Sequence, residues 1–276
     1  MSVLKKRYVF DWKRIQFEDN YHIEYSVTDI CNRNCKGCSH LAPLAKDPNF
    51  VSVEEFARVI KIMRKCVPDA HTVWITGGEP TLHPEYMALL SILRNAFTDN
   101  HVGIYSNGIE LCEHESDKDF WQFNRENGIV WAITPYDIPQ NYFERLFSDH
   151  GCSNNLAIVH SGKKFFNLTT YSADQTVSEE KYVKCGWERS KVNIRNGKIY
   201  NCPSAEFADL FSNWFGIKFE ISERDYLTVD ESLTRERLDK FRGPVPFCSK
   251  CDLSARHKKL FRNEPSELKI GEWSDL

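Results

Sequence analysis

Three cysteines lie within eight residues of this chain, in the run Cys31-Asn-Arg-Asn-Cys35-Lys-Gly-Cys38. The CxxxCxxC spacing supplies three thiolates from one short loop and no fourth. A cubane iron–sulfur cluster is normally held by four cysteine thiolates, and three leave one iron able to take an exogenous ligand. The alternative is a structural zinc ion, with His40 completing a Cys3His set. The loop alone favours the cluster over zinc but is compatible with both.

The segments around this loop alternate between strand and helix patterns. Residues 21–28, directly upstream of Cys31, alternate apolar and polar side chains as a half-buried strand does. Ser52 precedes a helical periodicity that continues to Cys66, with Glu55 at capping-box spacing. Further strands are predicted at 71–76, 101–106, 129–134 and 156–160, and further helices at about 84–95 and 140–147. This alternation predicts a parallel sheet covered by crossover helices.

The strand at 71–76 ends in Gly77-Gly78-Glu79-Pro80. Together with the cysteine loop, this turn resembles the radical S-adenosylmethionine (SAM) superfamily, in which CxxxCxxC follows the first barrel strand and a GGE-type turn the second. The resemblance implies an α/β fold: a partial (β/α)6 TIM-like barrel in residues 1–165 and a small α+β auxiliary-cluster domain in residues 166–276. It also implies that Cys31, Cys35 and Cys38 hold a SAM-binding 4Fe-4S cluster, whose open iron takes the methionine amino and carboxylate groups.

Barrel enzymes place their chemistry at the carboxyl ends of the strands. A turn without side chains lets backbone groups approach a ligand closely, and the family uses its GGE turn to hold the methionine amino group. The cofactor-binding residues implied are Gly77, Gly78, Glu79, Pro80, Ser106, Asn107 and Thr134. Tyr136 and Asp137 follow Thr134 on the same loop and are candidate catalytic residues that face the substrate.

Gly37 within the cysteine loop and His40 just after it bear on how the adenine and the cluster are contacted. The residue before the third cysteine is often aromatic in relatives, where it packs near the adenine, but here it is Gly37. The adenine contacts of this chain therefore differ from that pattern. His40 is a candidate hydrogen-bond partner of a cluster sulfide or the substrate, although we favour a structural histidine because such residues are often partly buried.

The C-terminal third carries four more grouped cysteines, Cys185, Cys202, Cys248 and Cys251. Residues 192–200 form a predicted hairpin turning at Asn196-Gly197, the strongest short hairpin signal, which would bring the first two of these cysteines together. Helices predicted at about 205–215 and 232–241 return the chain so that the final CxxC pair closes the site. Four thiolates fit structural zinc as well as a fully ligated 4Fe-4S cluster.

The hairpin with its downstream CxxC resembles the auxiliary-cluster domain called SPASM, or its shortened form called twitch. This resemblance implies a second, auxiliary iron–sulfur cluster of the 4Fe-4S type. Full SPASM domains carry more cysteines than this chain has, which favours the twitch form and a single auxiliary cluster. The remaining cysteines, Cys66, Cys112 and Cys152, are scattered singly and are predicted to be core thiols.

Composition narrows the functional classes. The chain has 276 residues, 41% of them hydrophobic and 27% charged, which is enough to bury a substantial core. Its formal net charge of -3 does not steer it toward nucleic acid or an anionic membrane. No apolar stretch of about eighteen residues and no signal-peptide core are present. We therefore expect a cytoplasmic protein whose ten cysteines are metal ligands and core thiols.

The resemblance further implies that SAM is cleaved reductively to a 5'-deoxyadenosyl radical, which abstracts a hydrogen atom from the substrate. A filled auxiliary cluster would accept an electron from the substrate radical, as in an oxidoreductase that oxidises an alcohol to a ketone. The implied electron donor is a protein such as flavodoxin or ferredoxin. Redox-neutral outcomes such as epimerisation or rearrangement remain open.

The short segment before the first strand bears on the substrate class. Only about twenty residues precede the first strand, too few for a peptide-recognition domain, which favours a small polar metabolite such as a sugar, cyclitol or nucleoside. Its candidate binding residues are Asp137, Glu188, Arg195 and Glu206. The alternatives are a peptide-modifying maturase and a non-catalytic iron–sulfur or zinc redox sensor.

Overall fold

The computed structural model describes residues 21–159, 164–166, 171, 178–185, 191–217, 219, 221–251, 260–262 and 264–274. The predicted strand end at residue 160 and the candidate Glu188 lie outside these residues. Within them, no helix has the length and apolarity needed to cross a membrane.

One large sheet organises the fold. Its strands are β1 (His22–Thr28), β2 (Thr72–Gly77), β3 (His101–Ser106), β4 (Val130–Ile133), β5 (Leu156–Ile158), β7 (Lys191–Arg195), β8 (Lys198–Tyr200) and β9 (Tyr226–Thr228). They lie in the order β5-β4-β3-β2-β1-β7-β8-β9. The first five strands and β7 run parallel, whereas β8 and β9 are antiparallel additions. In the described part of the chain β5 and β9 are the sheet edges, so the barrel is not closed.

The remaining strands, β6 (Lys164–Phe166) and β10 (Leu260–Arg262), form a separate antiparallel pair. The helices are α1 (Val53–Cys66), α2 (Tyr86–Ala96), α3 (Lys118–Asn127), α4 (Gln140–Asp149), α5 (Ser178–Cys185), α6 (Pro203–Glu206), α7 (Ala208–Phe215) and α8 (Arg235–Phe241). Helices α1 to α4 each connect two successive parallel strands, so the predicted α/β fold with a partial barrel is confirmed. The predicted domain boundary at 165/166 stays a prediction, and the sheet continues across it because β7 pairs with β1.

Local sequence explains where the helices begin. The Ser52 hydroxyl accepts a hydrogen bond from the Glu55 N–H at 3.2 Å, so the predicted cap of α1 is confirmed. Asp117 caps α3 in the same way through the Phe120 N–H at 3.0 Å. Helix α3 was not predicted from the sequence, because it presents few apolar residues at helical spacing.

The two faces of β1 differ because successive strand residues alternate between faces. Ile23 and Tyr25 face the main hydrophobic core, where the Tyr25 ring stacks on Phe56 of α1 with 4.8 Å between ring centroids. Glu24 and Ser26 lie on the opposite face, toward the inside of the partial barrel. A second hydrophobic cluster joins Leu41, just after the cysteine loop, to α7 and Trp273.

Several sequence predictions need correction. The single helix predicted at 205–215 is divided into α6 and α7 at Phe207, and the helix predicted from 232 begins at Arg235 because Thr234 is its N-cap. Cys66 and Cys152 are buried as predicted. The core-thiol prediction is wrong for Cys112, which is exposed because the short turn at Glu110–His114 directs Leu111 inward instead.

Candidate active site

The cysteine loop lies at the carboxyl end of β1, beside the ends of the neighbouring parallel strands. Cys31, Cys35 and Cys38 all line one cavity of about 440 Å³. Gly37 has φ of 67°, a left-handed conformation that glycine adopts without steric cost, and this turns the chain before the third cysteine. The loop therefore directs three thiols at one space.

Burial and hydrogen bonding act in opposite directions on the charge of the thiols. The Arg33 N–H donates to Cys31 Sγ at 3.4 Å, and the Asn107 side-chain amide approaches the same sulfur at 3.7 Å. Burial raises the pKa of Cys31 to about 12 and that of Cys38 to about 11, although backbone N–H groups of residues 40–42 oppose the shift at Cys38. Thiols held this way become thiolates when a metal centre supplies the compensating charge, so the donor set fits an iron–sulfur cluster.

The Gly77-Gly78 turn is pressed against the chain that leads into the cysteine loop. The Gly78 N–H donates to the Thr28 carbonyl at 2.9 Å, and the Glu79 N–H donates to the Ile30 carbonyl at 2.8 Å. A Cβ atom at Gly77 would lie 2.2 Å from the Thr28 oxygen, and one at Gly78 would lie 2.0 Å from the Ile30 oxygen. Only glycine fits at these two positions, because any side chain would push the two backbones apart.

The Glu79 carboxylate connects the turns that follow β2 and β3. It accepts hydrogen bonds from the Asn107 N–H at 2.7 Å and the Ser106 hydroxyl at 2.9 Å, and from the hydroxyl of Thr81 at 2.7 Å. Burial raises the pKa of this carboxyl, and these hydrogen bonds oppose the shift. The carboxylate therefore fixes the relative positions of two turns at the cavity wall.

Most of the predicted site residues share the cavity with the three cysteines. Those that line it are Gly77, Gly78, Glu79, Ser106, Asn107, Thr134 and Tyr136. Pro80 is buried in the short turn Pro80–Leu82 and does not line the cavity. Asp137 is exposed and also lies outside the lining. The roles assigned to all these residues remain predictions.

Asp137 is connected to the cavity through Arg33. The Arg33 guanidinium forms an ion pair with Asp137 at 2.6 Å and lies over the Tyr136 ring, 4.3 Å from its centroid. Burial raises the pKa of Tyr136, and the neighbouring cysteines reinforce the shift. The sequence analysis did not identify Arg33. A cation within the CxxxCxxC loop is the signal that could have indicated it.

A second pair that the sequence analysis missed also lines the cavity. Glu24 on β1 and Lys191 on β7 both line it and form an ion pair with 2.7 Å between Oε1 and Nζ. Tyr105 and Val159 supply apolar wall opposite them. The signal for Glu24 was its place among the polar residues of a strand whose other face is apolar.

His40 has structural partners. Its Nδ1 lies within hydrogen-bonding distance of the Gly77 carbonyl oxygen, and its ring stacks on Phe207 with 5.0 Å between centroids. These contacts connect the cysteine loop to the glycine turn and to the residue between α6 and α7. They support the structural interpretation of His40, whose ring also forms part of the cavity wall.

Contacts between elements connect the regions that carry two of the four C-terminal cysteines. Cys185 ends α5, which contacts the short turn Pro246–Lys250 that carries Cys248. The predicted hairpin is confirmed as β7 and β8, and Cys202 follows it. Burial raises the pKa of Cys202, and charges on Cys251, Cys248 and Cys185 raise it further.

The Cys202 region also reaches the cavity, because Pro203 lines it. Among the residues that the structure describes, no three Cys, His, Asp or Glu side chains are arranged to hold a single metal ion. The assignment of either cysteine set therefore depends on ligand chemistry.

The polar candidates Arg195 and Glu206 have structural contacts outside the cavity lining. Arg195 forms ion pairs with Asp29 at 2.7 Å and with Asp209 at 2.8 Å. Glu206 accepts a hydrogen bond from the Ser26 hydroxyl at 2.6 Å, and burial raises its pKa to about 8. These contacts attach α6 and α7 to β1 and β7, and nothing in them favours a substrate role.

Comparison with known proteins identifies relatives. Residues 25–151 match the family model described as the Radical SAM superfamily. The chain is 32% identical over 187 residues to a GTP 3',8-cyclase of Vibrio cholerae, covering 65% of this chain and 48% of that protein. It is 24% identical over 198 residues to a GTP 3',8-cyclase of Mannheimia succiniciproducens, covering 70% and 49%. The chain thus spans about half the length of these curated relatives.

One solved structure shares the fold. The crystal structure of BtrN in complex with AdoMet and 2-DOIA superposes with a TM-score of 0.52 at 16% identity. The match covers 83% of this chain and 85% of that one. The likeness therefore extends beyond the segment matched by the family model and includes much of the C-terminal part.

Proposed function

Because residues 25–151 match the family model described as the Radical SAM superfamily, we propose that this protein cleaves SAM reductively and abstracts a hydrogen atom from a small polar substrate. The observation that carries the proposal is that the three thiols of the cysteine loop and the Gly77-Gly78 turn line one cavity of about 440 Å³. A volume of this order lies within the range of small-molecule and cofactor sites.

The family implies a 4Fe-4S cluster and SAM, and Cys31, Cys35 and Cys38 would hold the cluster. When bound, this centre supplies the electron that splits SAM into methionine and a 5'-deoxyadenosyl radical. The chain's own residues bind and orient SAM and the substrate. Gly77 and Gly78 place backbone groups at the cavity wall for a ligand's amino group. Ser106 and Asn107 present polar groups at the next strand end, and the apolar wall excludes water.

We further propose that Cys185, Cys202, Cys248 and Cys251 hold an auxiliary iron–sulfur cluster that accepts an electron during a net oxidation. Two observations support this proposal: α5, which ends in Cys185, contacts the turn that carries Cys248, and Pro203, next to Cys202, lines the cavity. An acceptor at that place would lie close to a substrate radical. Structural zinc on the same thiols is the alternative.

A second candidate is a redox-neutral reaction on a nucleotide. The GTP 3',8-cyclases to which the chain is similar favour it, at 32% identity over 187 residues in one case. The two candidates share the cleavage of SAM and differ in the substrate and in the fate of its radical. A substrate assay therefore separates them.

The test is anaerobic reconstitution followed by measurement of iron, sulfide and zinc, and then incubation with dithionite and SAM. We expect 5'-deoxyadenosine to form and about eight irons per chain, the content of two 4Fe-4S clusters. About four irons with one zinc would remove the electron-accepting role of the C-terminal cysteines. Well-loaded protein that forms no 5'-deoxyadenosine would show that the chain is a sensor or another non-catalytic protein.

A further inference from the structure

Glu24 presents an unusual carboxylate to the cavity. The residue is only 9% exposed, and its Oε1 pairs with Lys191 Nζ at 2.7 Å. Glu24 also lines the cavity that contains the cysteine loop. A carboxylate so little exposed to water needs hydrogen bonds to compensate for its burial, and one salt bridge leaves acceptor sites for a ligand.

The strands do not need this ion pair in order to associate. Backbone pairing already joins β1 to β7, with His22 opposite Lys191 and Glu24 opposite Asn193. Buried ion pairs are weak evidence for stability, since removing two charges from water costs roughly what their attraction returns. The position of this pair, on the wall of the cavity that also holds the cysteine loop, suggests a ligand instead.

We propose that Glu24 and Lys191 bind a hydroxyl-bearing region of the substrate, which is a neutral polyhydroxylated molecule such as a sugar, cyclitol or nucleoside. This inference rests on the proposed function and adds the residues that recognise the substrate. A substrate hydroxyl donates to the Glu24 carboxylate, and a neighbouring substrate oxygen lies near the Lys191 ammonium. The apolar wall at Tyr105 and Val159 packs against the carbon skeleton.

Charge argues for a neutral substrate. The Glu24–Lys191 pair carries no net charge, so it offers no net attraction to a phosphate or an ammonium group. A neutral hydroxyl can donate to the Glu24 carboxylate and leave the ion pair intact. Among the described residues that line the cavity, the cations are Arg33 and Lys191, and each is paired with a carboxylate. A nucleoside triphosphate would need several cations in excess.

The test measures binding to the anaerobically reconstituted protein in the presence of SAM, by isothermal titration calorimetry. The probes are myo-inositol, D-glucose, adenosine and GTP. We expect at least one of the three neutral probes to bind, and Glu24→Gln and Lys191→Met each to weaken that binding about 10-fold or more, as expected for a charge-assisted hydrogen bond. The control is Glu236→Gln, which removes the exposed pair of Glu236 with Lys240 and should leave binding unchanged.

A double variant separates recognition from folding. Glu24→Lys with Lys191→Glu restores an ion pair between the two strands but exchanges the positions of donor and acceptor. We expect its urea unfolding midpoint to return toward that of the wild type while its affinity stays about 10-fold or more below wild type. If the affinity returns together with the stability, the pair has only a structural role and the inference is overturned.

The other outcomes are equally decisive. Binding of GTP without binding of any neutral probe overturns the substrate class, and so does binding of none of the four. If 5'-deoxyadenosine forms but the Glu24 and Lys191 variants bind like wild type, the inference fails and the proposed function stands. If a neutral probe binds through Glu24 and Lys191 but SAM is never cleaved, the proposed function fails and the binding site stands.

Discussion

The Trp273 indole N–H donates a hydrogen bond to the backbone carbonyl of Cys38 at 2.9 Å, across 235 positions of the chain. The same loop has further partners near the C-terminus. The Lys36 N–H donates to the Glu264 carbonyl at 3.0 Å, and the Ser266 N–H donates to the Asn34 carbonyl at 2.8 Å. The conformation of the cysteine loop is therefore held by a distant segment, and loosening that segment should affect whatever the three thiols bind.

The first prediction concerns Trp273→Phe. The substitution keeps an aromatic ring in a fully buried position and removes the hydrogen bond to Cys38. We expect a loss of about 1 kcal/mol in the free energy of unfolding, the usual contribution of such a bond. We also expect iron loss to an added chelator to be about fivefold faster, since the loop opens more often by that factor.

Trp121→Phe is the matched control. Trp121 is equally buried, and its indole N–H donates to the His114 carbonyl at 2.8 Å, away from the cysteine loop. We expect Trp121→Phe to lose about the same free energy of unfolding as Trp273→Phe. Its rate of iron loss should equal that of the wild type. Equal rates of iron loss in the two variants would show that the Trp273 contact does not hold the loop.

The second prediction concerns Gly78→Ala. The added Cβ would lie 2.0 Å from the Ile30 carbonyl oxygen, so the turn must move away from the chain that enters the cysteine loop. We expect a loss of about 1–3 kcal/mol in stability and at least about tenfold weaker SAM binding by equilibrium dialysis, because a small displacement of a binding turn has that effect. Gly243→Ala is the control, since a Cβ there meets nothing within 4 Å. SAM binding equal to that of the control would show that the turn tolerates a side chain.

Much of the barrel could be predicted from the sequence because its signals are local. The cap of α1, the alternation in β1 and the Gly77-Gly78 turn each need only a few neighbouring residues, and β3 begins and ends where it was predicted. Helix α3 escaped because its buried face is small, with Phe120, Trp121 and Asn124 as its buried residues. Packing against the sheet stabilises this helix although its local sequence pattern is weak.

The parts of the site that could not be predicted depend on long-range pairing. Glu24 contacts Lys191 only because β7 pairs with β1. Neither segment taken alone predicts that the two strands are neighbours. The Trp273 contact likewise needs the C-terminus to return to the first loop. Residue spacing predicted which cysteines group together, but it carried no information about the charged pair beside them.

The third prediction compares three cysteines. Cys35→Ala removes a proposed ligand of the SAM-binding cluster and should abolish formation of 5'-deoxyadenosine, with about four irons per chain lost. Cys251→Ala should lose about four irons from the auxiliary set, retain some SAM cleavage and lose product or stability. The exposed Cys112 is the control, and Cys112→Ala should keep both iron content and cleavage. Full iron content in Cys251→Ala would contradict the second cluster.

The last prediction concerns acid sensitivity at the amino-terminal ends of the parallel strands. His22, His71 and His101 lie edge to face there, with 5.6 Å and 5.1 Å between successive ring centroids. Burial lowers the pKa of His22 to about 4, and charges on His71 and Lys191 lower it further while Glu24 opposes them. Burial also lowers the pKa of His101 to about 4 and reduces that of His71.

The direction of the pH effect follows from these shifts. Between the folded pKa of about 4 and the unfolded value of 6.5, the unfolded chain binds more protons at His22 than the native protein does. Stability therefore falls as pH decreases through this window, by about 2 kcal/mol for His22 alone between about pH 7 and about pH 5. His22→Asn keeps a polar group beside Thr72, whose hydroxyl lies 2.9 Å from His22 Nδ1, and removes the titration.

Anaerobic urea unfolding at the two pH values, followed by tryptophan fluorescence, measures the effect. Wild type should lose more stability on acidification than His22→Asn, by about 2 kcal/mol. His101→Asn should reduce the pH dependence in the same direction, because burial shifts its pKa the same way. Acid damage to a cluster cancels in the comparison, since these histidines lie at the opposite end of the strands from the cysteine loop. Parallel pH profiles for wild type and both variants would show that the three histidines do not govern acid stability.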